Sequence, residues 1–530
     1  MSIEYFVEGK IKTQVKGDYS AFSKENIIYN TITSVEQKGN EEGIKYNNPK
    51  KVNPNDRPTN LIDVSLNLFF DGTQNNKTNT TLGRNYEESN HEDDSYTNDF
   101  SNVARGYDAI DPNAENQIRV YIEGIGTTDM ESDTILPGVG LGTGDTGVPA
   151  KVTKGCVKGA EALKGYAGKN IHLKVNVYGF SRGATAARHF VHIATNPCRV
   201  LKSSEKKGMA LPPHEAEGKR IEVNQDDELV LKHGYFGACL RYWEVLPQKI
   251  TFNFVGLYDT VASYGVDHRG KEVFGVPVID NDTKQLGLDD VSKAYFVLQI
   301  AADDEFRDNF DLTNIKNSGV KGLEFTLPGV HSDIGGCYVN GSKESVDLFT
   351  EEGSTEKCER YRKILIEEGW YQPDEIFTRR ISPHVHGVDA RHILTGTRKK
   401  LYNTYDKVAL NSMFHYSKQF EVKYDEKSLK SHTIQDVFLM KVYNQLLGYM
   451  NACTQLRSGY VEEYNRTNSS GNYTEKLKTL QYENFIDPND LKTLRNQYLH
   501  WSASVTKFGL GPRIGKVANG KERKRNIQDG

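Results

Sequence analysis

Along the chain, the first 60 residues are mostly polar, rich in Asn, Lys and Glu, and close with the turn-prone KKVNPNDRP; only Ile3–Val7 and Ile27–Ile32 hint at strands. From Leu61 the character changes. VSLNLFF, IRVYIEGI, LKVNVYGF, ITFNFVGLYD and GLEFTLPGV are short apolar runs ending in Gly, Asp or Pro. Between several of them lie stretches with helical spacing, such as KVTKGCVKGAEALKGYA and ATAARHFVHIA. Strands alternating with helices predict an α/β fold with a mostly parallel sheet flanked by helices. ITFNFVGL is almost continuously apolar, which suits a central strand covered on both faces.

Residues 201–249 break the alternation with a charged, loop-like stretch followed by the amphipathic YFGACLRYWEVL, and read as an insertion. Beyond residue 342 the spacing is mostly helical: KCERYRKILIEEGW, ALNSMFHYSKQF and IQDVFLMKVYNQLLGYM, the last with Phe438, Val442, Leu446 and Met450 on one stripe. The division expected is a polar appendage (1–60), an α/β domain (61–342) with its insertion, a helical region (343–515) and a solvated, frayed tail (516–530).

Charge then narrows the function. Lys plus Arg is 67 against 71 Asp plus Glu, a net −4 with both signs interspersed, so an electrostatic nucleic-acid binder is excluded. No apolar stretch reaches the length of a membrane span, and MSIEYFVEGK lacks a signal-peptide core, so a chain made in the cytoplasm is expected. The six cysteines are far apart and read as reduced, mostly buried thiols.

The sharpest chemical signal is VNVYGFSRGATAARHF, where Gly179-Phe-Ser181-Arg-Gly183 follows a strand-like run and opens an Ala-rich helical one. This is the context a Gly-x-Ser-x-Gly nucleophile elbow requires: the turn is tight, and only glycine fits two residues either side of the serine. The pentapeptide alone is a common chance match; the strand before and helix after it carry the reading. A serine hydroxyl needs a base, and the base a carboxylate. In this kind of sheet the order is Ser, acid, His. Asp259 ends ITFNFVGLYD, and His331 follows GLEFTLPGV, both at strand C-terminal ends where ligand sites in open α/β sheets lie. Asp333 is the main rival for the acid; Asp303 and Asp304, in the helical-looking QIAADDEFRDNF, are weaker ones.

An oxyanion needs N–H donors, one from Arg182, next after the serine, and one from the LNLFFDGTQNN loop, where Gly72 and Thr73 permit close approach. Asp71-Gly72-Thr73 also resembles a haloacid-dehalogenase phosphatase motif, but Phe69 stands where that nucleophilic aspartate belongs, which excludes it. Gly142-Thr-Gly144-Asp-Thr-Gly147 follows no strand and reads as a mobile loop. His384-Val-His386-Gly-Val-Asp389 misses a metallo-hydrolase ligand spacing by one residue and reads as a surface loop, and YEESNHEDDSYTNDF as a solvated acidic loop. No metal or cofactor is expected.

Taken together, LFFDGTQNN, SNVARG, VYIEGIGT, GFSRGA, GLYDTVASYG, AADDEFRDNF and LPGVHSDIGG, spanning residues 66–338, resemble one family: the α/β-hydrolase-like domain of type VI secretion phospholipase effectors, the first family of type VI lipase effectors. The resemblance implies that Ser181, Asp259 and His331 form its triad, that the substrate is the acyl ester of glycerophospholipids in a bilayer, and that the partners are a secreted spike protein and a cognate immunity protein. It also implies an antibacterial effector delivered into a competing cell. The other readings are a soluble carboxylesterase or thioesterase with the same triad, and a catalytically silent structural or adaptor component of a secreted particle. For bilayer contact, residues 230–246 and the stripe around Phe438 are the candidate apolar surfaces, with core packing as the alternative for each.

Overall fold

The structure is a computed structural model that describes residues 61–85, 93–133, 145–262, 286–381, 390–507, 510–513, 523 and 525–530. The appendage at 1–60, residues 142–144 of the glycine-rich run, residues 86–92 of the acidic loop and the 384–389 histidine run lie outside them.

Six strands form the central sheet: β1 (Ile62–Phe70), β2 (Gln117–Ile122), β3 (Ile171–Phe180), β4 (Lys249–Tyr258), β5 (Phe296–Ala302) and β6 (Gly322–Leu327). Their spatial order is β6-β5-β4-β3-β1-β2, and every pairing is parallel. The chain runs from β1 to β2 on one side, then crosses back to β3 and proceeds outward through β4, β5 and β6. The order thus reverses between β1 and β3, the place where an open parallel sheet leaves a crevice beyond its strand ends. The register aligns those ends: Phe70 pairs with Gly179, Phe180 with Tyr258, and Tyr258 with Ile300.

Alternation along each strand feeds two cores. Leu66, Leu68, Phe70, Val175, Val177, Val255 and Leu257 face one core, shared with the helices Val148–Ala162, Arg182–Ile193 and Glu228–Tyr242. Phe69, Tyr178, Phe254, Tyr258, Ile300 and Phe325 face the other, which the helices Asp406–Lys418 and Val437–Thr467 cover. The region beyond 342 therefore closes one face of the sheet. It also differs from the mostly helical expectation: Ser342–Glu352, Ile376–Ile381 and Arg391–Leu401 form an antiparallel three-stranded sheet. In Ser342–Glu352 the run SVDL carries a two-residue period, with Val346 and Leu348 buried, that the longer helical runs around it obscured.

Each candidate bilayer segment turns one face to the core, while Leu231, Tyr242, Leu246, Val437 and Met440 stay exposed and Phe438 is half-buried. Tyr235, Phe236, Cys239 and Leu240 of the insertion are buried, as are Leu439, Val442, Leu446 and Met450. The rest of the insertion is a small antiparallel sheet of Val200–Lys202, Lys207–Ala210 and Ile221–Asn224. No described helix is long and apolar enough to cross a membrane.

Of the expected frayed tail at 516–530, residues 523 and 525–530 are described, and these are packed. Ile527–Gln528 pair in parallel with Leu312–Thr313, and Gly530 is buried. Arg523 pairs with Glu368 and faces the Trp501 ring. Arg513, just before the tail, reaches Asp308 and Asp311.

Candidate active site

Ser181 follows β3 directly and has φ 57° and ψ −128°, a conformation that non-glycine residues rarely adopt. The strain is held by backbone hydrogen bonds: Ser181 N–H donates to Tyr258 O at 3.0 Å, while its carbonyl accepts from Ala184 and Val261. The two glycines answer to close approach. A Cβ on Gly179 would lie 2.5 Å from Gly183 O, and one on Gly183 would lie 2.2 Å from Asp71 O. The elbow thus wedges the helix start against the end of β1, with Arg182 in the first turn of Arg182–Ile193, the end at which helix N–H groups point outward.

Asp259 occupies the position after β4, also at positive φ (45°), and is fully buried. His331 opens the short helix His331–Gly335 beyond β6. Its Nδ1 lies 2.5 Å from Asp259 Oδ2, so two of the three expected residues, 72 positions apart, are joined directly. The ring is held between Phe180 (centroids 4.6 Å apart) and Phe310 (5.0 Å, edge-on). Phe180 immediately precedes Ser181, so the serine and the imidazole share a neighbour. Among the described residues no hydrogen bond joins the Ser181 hydroxyl to His331; such bonds commonly tighten only when substrate binds.

Electrostatics favour a neutral imidazole paired with an ionised acid. Burial lowers the pKa of His331 below the ordinary value, with the Asp259 carboxylate pulling the other way. Burial would raise Asp259, but Arg525 and His331 hold it well below the usual carboxylate range. With Nδ1 facing the carboxylate, Nε2 is the nitrogen left to accept a proton.

The rival acids face elsewhere. Asp333 binds His500 Nδ1 at 2.7 Å and caps the Val330 N–H; its own helix turns it away from His331. Asp303 accepts from Tyr482 OH, and Asp304 from Gly329 N–H. Their segment is β5 followed by a turn, not the expected helix, because the apolar FVLQIAA run belongs to the sheet.

At the loop expected to receive an oxyanion, Gly72 N–H donates to Asp71 Oδ1 at 2.7 Å and is engaged there. Thr73 is half-buried, and its Oγ1 is buried without a hydrogen-bond partner among the described residues. Asp71 also accepts from Ser101 Oγ and Tyr121 OH, both at 2.6 Å, and burial pushes its pKa up to about 6.

Sequence reasoning missed several residues around the imidazole. Glu305 accepts the His331 N–H and pairs with Arg307, which lies over the Phe310 ring at 3.4 Å. Arg525 forks onto Asp259. Glu305 and Arg307 lie in AADDEFRDNF, beside the aspartates that read as rival acids. Among the described residues no group of three His, Cys, Asp or Glu side chains is arranged to hold a metal ion.

Comparison with known proteins places this geometry in context. No curated protein matches the chain. Among solved structures, the chain is similar to the "Structure of the Tle1 effector bound to the VgrG spike from the Type 6 secretion system", at 19% identity and a TM-score of 0.53, over 89% of this chain and 95% of that one. A second, the "Crystal structure of an uncharacterized protein from Pseudomonas aeruginosa", is 15% identical with a TM-score of 0.33 over 75% of this chain and 51% of that one. Residues 65–354 match the family described as T6SS, phospholipase effector Tle1-like, catalytic domain. Because the match spans more than half of the sequence and takes in the elbow, the buried aspartate and the histidine bound to it, the chain belongs to the Tle1-like phospholipase effectors of type VI secretion.

Proposed function

We propose that this chain is a serine esterase of phospholipase A type, in which Ser181 is the nucleophile, His331 the base and Asp259 the group that orients it. The observation that carries the reading is the Asp259–His331 contact of 2.5 Å beside a serine on a strained turn. His331 Nε2 takes the hydroxyl proton as Ser181 Oγ attacks the ester carbonyl, and passes it to the departing lysophospholipid alcohol. Asp259 keeps Nδ1 protonated and offsets the imidazolium charge. The oxyanion is received by the backbone N–H groups of Arg182 and Thr73. Water then repeats the sequence on the acyl-enzyme.

In the same reading the chain is an antibacterial effector. Its solved relative is titled as bound to a spike, and the partners proposed here are a secreted spike protein, a target bilayer and an immunity protein in the producer. The test is mass spectrometry of phospholipid vesicles incubated with the purified protein. Free fatty acid and lysophospholipid are expected in equimolar yield, and Ser181→Ala should abolish both. Products unchanged in that variant, or no acyl release from any vesicle by the wild type, would overturn the reading.

A further inference from the structure

Arg525, 266 residues from Asp259 in sequence, makes a two-pronged contact with it: Nη1 to Oδ1 at 2.5 Å and Nη2 to Oδ2 at 2.9 Å. Two further donors go to backbone carbonyls, Nη1 to Ala302 O at 3.1 Å and Nε to Phe310 O at 2.7 Å. Both side chains are almost wholly buried, at 6% and 0% exposure. Each carboxylate oxygen therefore receives two donors. Oδ1 takes the Ala302 N–H and Arg525; Oδ2 takes His331 and Arg525. A planar fork fixes the carboxylate's rotation as well as its charge, which a point cation would not do.

The segment that carries Arg525 is stitched to the same turn. Leu312 N–H donates to Asn526 O and Asn314 N–H to Gln528 O, both at 2.9 Å. Thr313 N–H in turn donates to Thr260 O, next to Asp259. Residues 525–530, the 312–314 stretch and the turn at 259–261 thus form three successive layers. Little apolar surface holds the outermost layer: Ile527 is 57% exposed, so its hydrogen bonds and the Arg525 ion pair carry the docking.

We propose that Arg525 is a positioning residue of the triad, and that hydrolysis depends on residues 525–530 being docked beside Asp259. The inference rests on the triad reading given above. An undocked segment leaves each carboxylate oxygen with one donor in place of two, the Ala302 N–H on Oδ1 and His331 on Oδ2, so the carboxylate and the imidazole it orients are held less firmly. The charged groups around the imidazole are Asp259, with Arg525 forked onto it, and Glu305 and Arg307 from the 303–311 turn, Glu305 also accepting the His331 backbone N–H. Two anions and two cations balance there. Removing the Arg525 charge leaves a net anion, which favours the imidazolium.

The test uses the whole 530-residue chain and a soluble short-chain p-nitrophenyl ester, so that bilayer contact plays no part. Arg525→Gln is expected to lower kcat by about tenfold or more with KM within about twofold, and to move the acid limb of kcat/KM up by about one pH unit. Arg525→Lys should keep the limb near wild type while recovering only part of kcat. Deleting residues 526–530, which leaves Arg525 in the chain but removes its docking strand, should give the same loss; it decides the matter if Arg525→Gln fails to fold. A merely structural role would lower the active fraction at every pH without moving the limb, and that result overturns the inference, as does wild-type kcat in the folded deletion variant. Labelling of Ser181 by a fluorophosphonate probe separates the two readings. Labelled wild type with unaffected Arg525 variants removes this inference alone, whereas no labelling of wild-type Ser181 removes the triad as well.

Discussion

Asp259→Asn exchanges one carboxylate oxygen for an NH2 group, and the surroundings leave that group nowhere to go. Placed at Oδ1, it would face the Ala302 N–H and Arg525 Nη1, two donors with no acceptor between them. Placed at Oδ2, it would face Arg525 Nη2 and His331 Nδ1. Only the imidazole can respond, by shifting its proton to Nε2, so the second placement is favoured. That tautomer cannot accept the Ser181 proton. Loss of the correct tautomer in such triads lowers kcat by about ten-thousand-fold, equivalent to ~5.5 kcal/mol of transition-state stabilisation. Stability falls as well, because the Arg525 guanidinium, only 6% exposed, loses its counter-charge; breaking one side of a buried pair costs ~3–5 kcal/mol. Initial rates on the soluble ester and urea unfolding of the same preparations read the two effects separately. Adding Arg525→Gln to Asp259→Asn should return part of the stability and none of the activity. A folded Asp259→Asn protein with more than a tenth of wild-type kcat would refute the role given to the carboxylate.

Three further outcomes follow from the geometry. Ser181→Gly should abolish ester hydrolysis yet raise stability by ~1 kcal/mol in urea unfolding, because glycine relieves the positive-φ strain at the elbow. Gly183→Ala places a methyl 2.2 Å from Asp71 O and 2.4 Å from Phe70 O, backbone atoms that cannot move aside, and should cost ~3 kcal/mol or more by the same measurement. At Glu123, burial would raise the pKa, but Lys151 and Lys154 hold it down at about 2. A carboxylate depressed in the folded state stabilises above its unfolded value of ~4.3 and loses that contribution as pH falls toward the folded value. Glu123→Gln should therefore be less stable at neutral pH and change less between about pH 4.3 and 2, as thermal melts across that window would show.

The parts of the site carried by local pattern were legible in the sequence. Ser181, Asp259 and His331 each sit where an apolar run stops, and parallel pairing brings run ends to one edge of the sheet; strand termini thus predict proximity between residues far apart in the chain. What was not legible depends on contacts with no local signature. Arg525 stands in KERKRNIQDG, a composition that ordinarily stays solvated, and nothing in its spacing points to a carboxylate 266 residues earlier. Gly72 looked like an oxyanion donor because its loop follows β1, but the side chain of its own neighbour, Asp71, claims its N–H. YFGACLRYWEVL and the Phe438 stripe were ambiguous for a different reason: an apolar helical face reads the same whether a bilayer or a sheet covers it.

The sheet's second covering bears on how this protein can be cut. The family match ends at residue 354, and a fragment stopping there would keep the elbow, Asp259 and His331. It would lose the helices Asp406–Lys418 and Val437–Thr467, and with them the wall over Tyr178, Phe254, Ile300 and Phe325. A bared aromatic slab of that kind drives self-association. The matched stretch is accordingly expected to precipitate when expressed by itself, and inhibitor or substrate screens should be built on a chain that retains both halves of the hydrophobic sandwich.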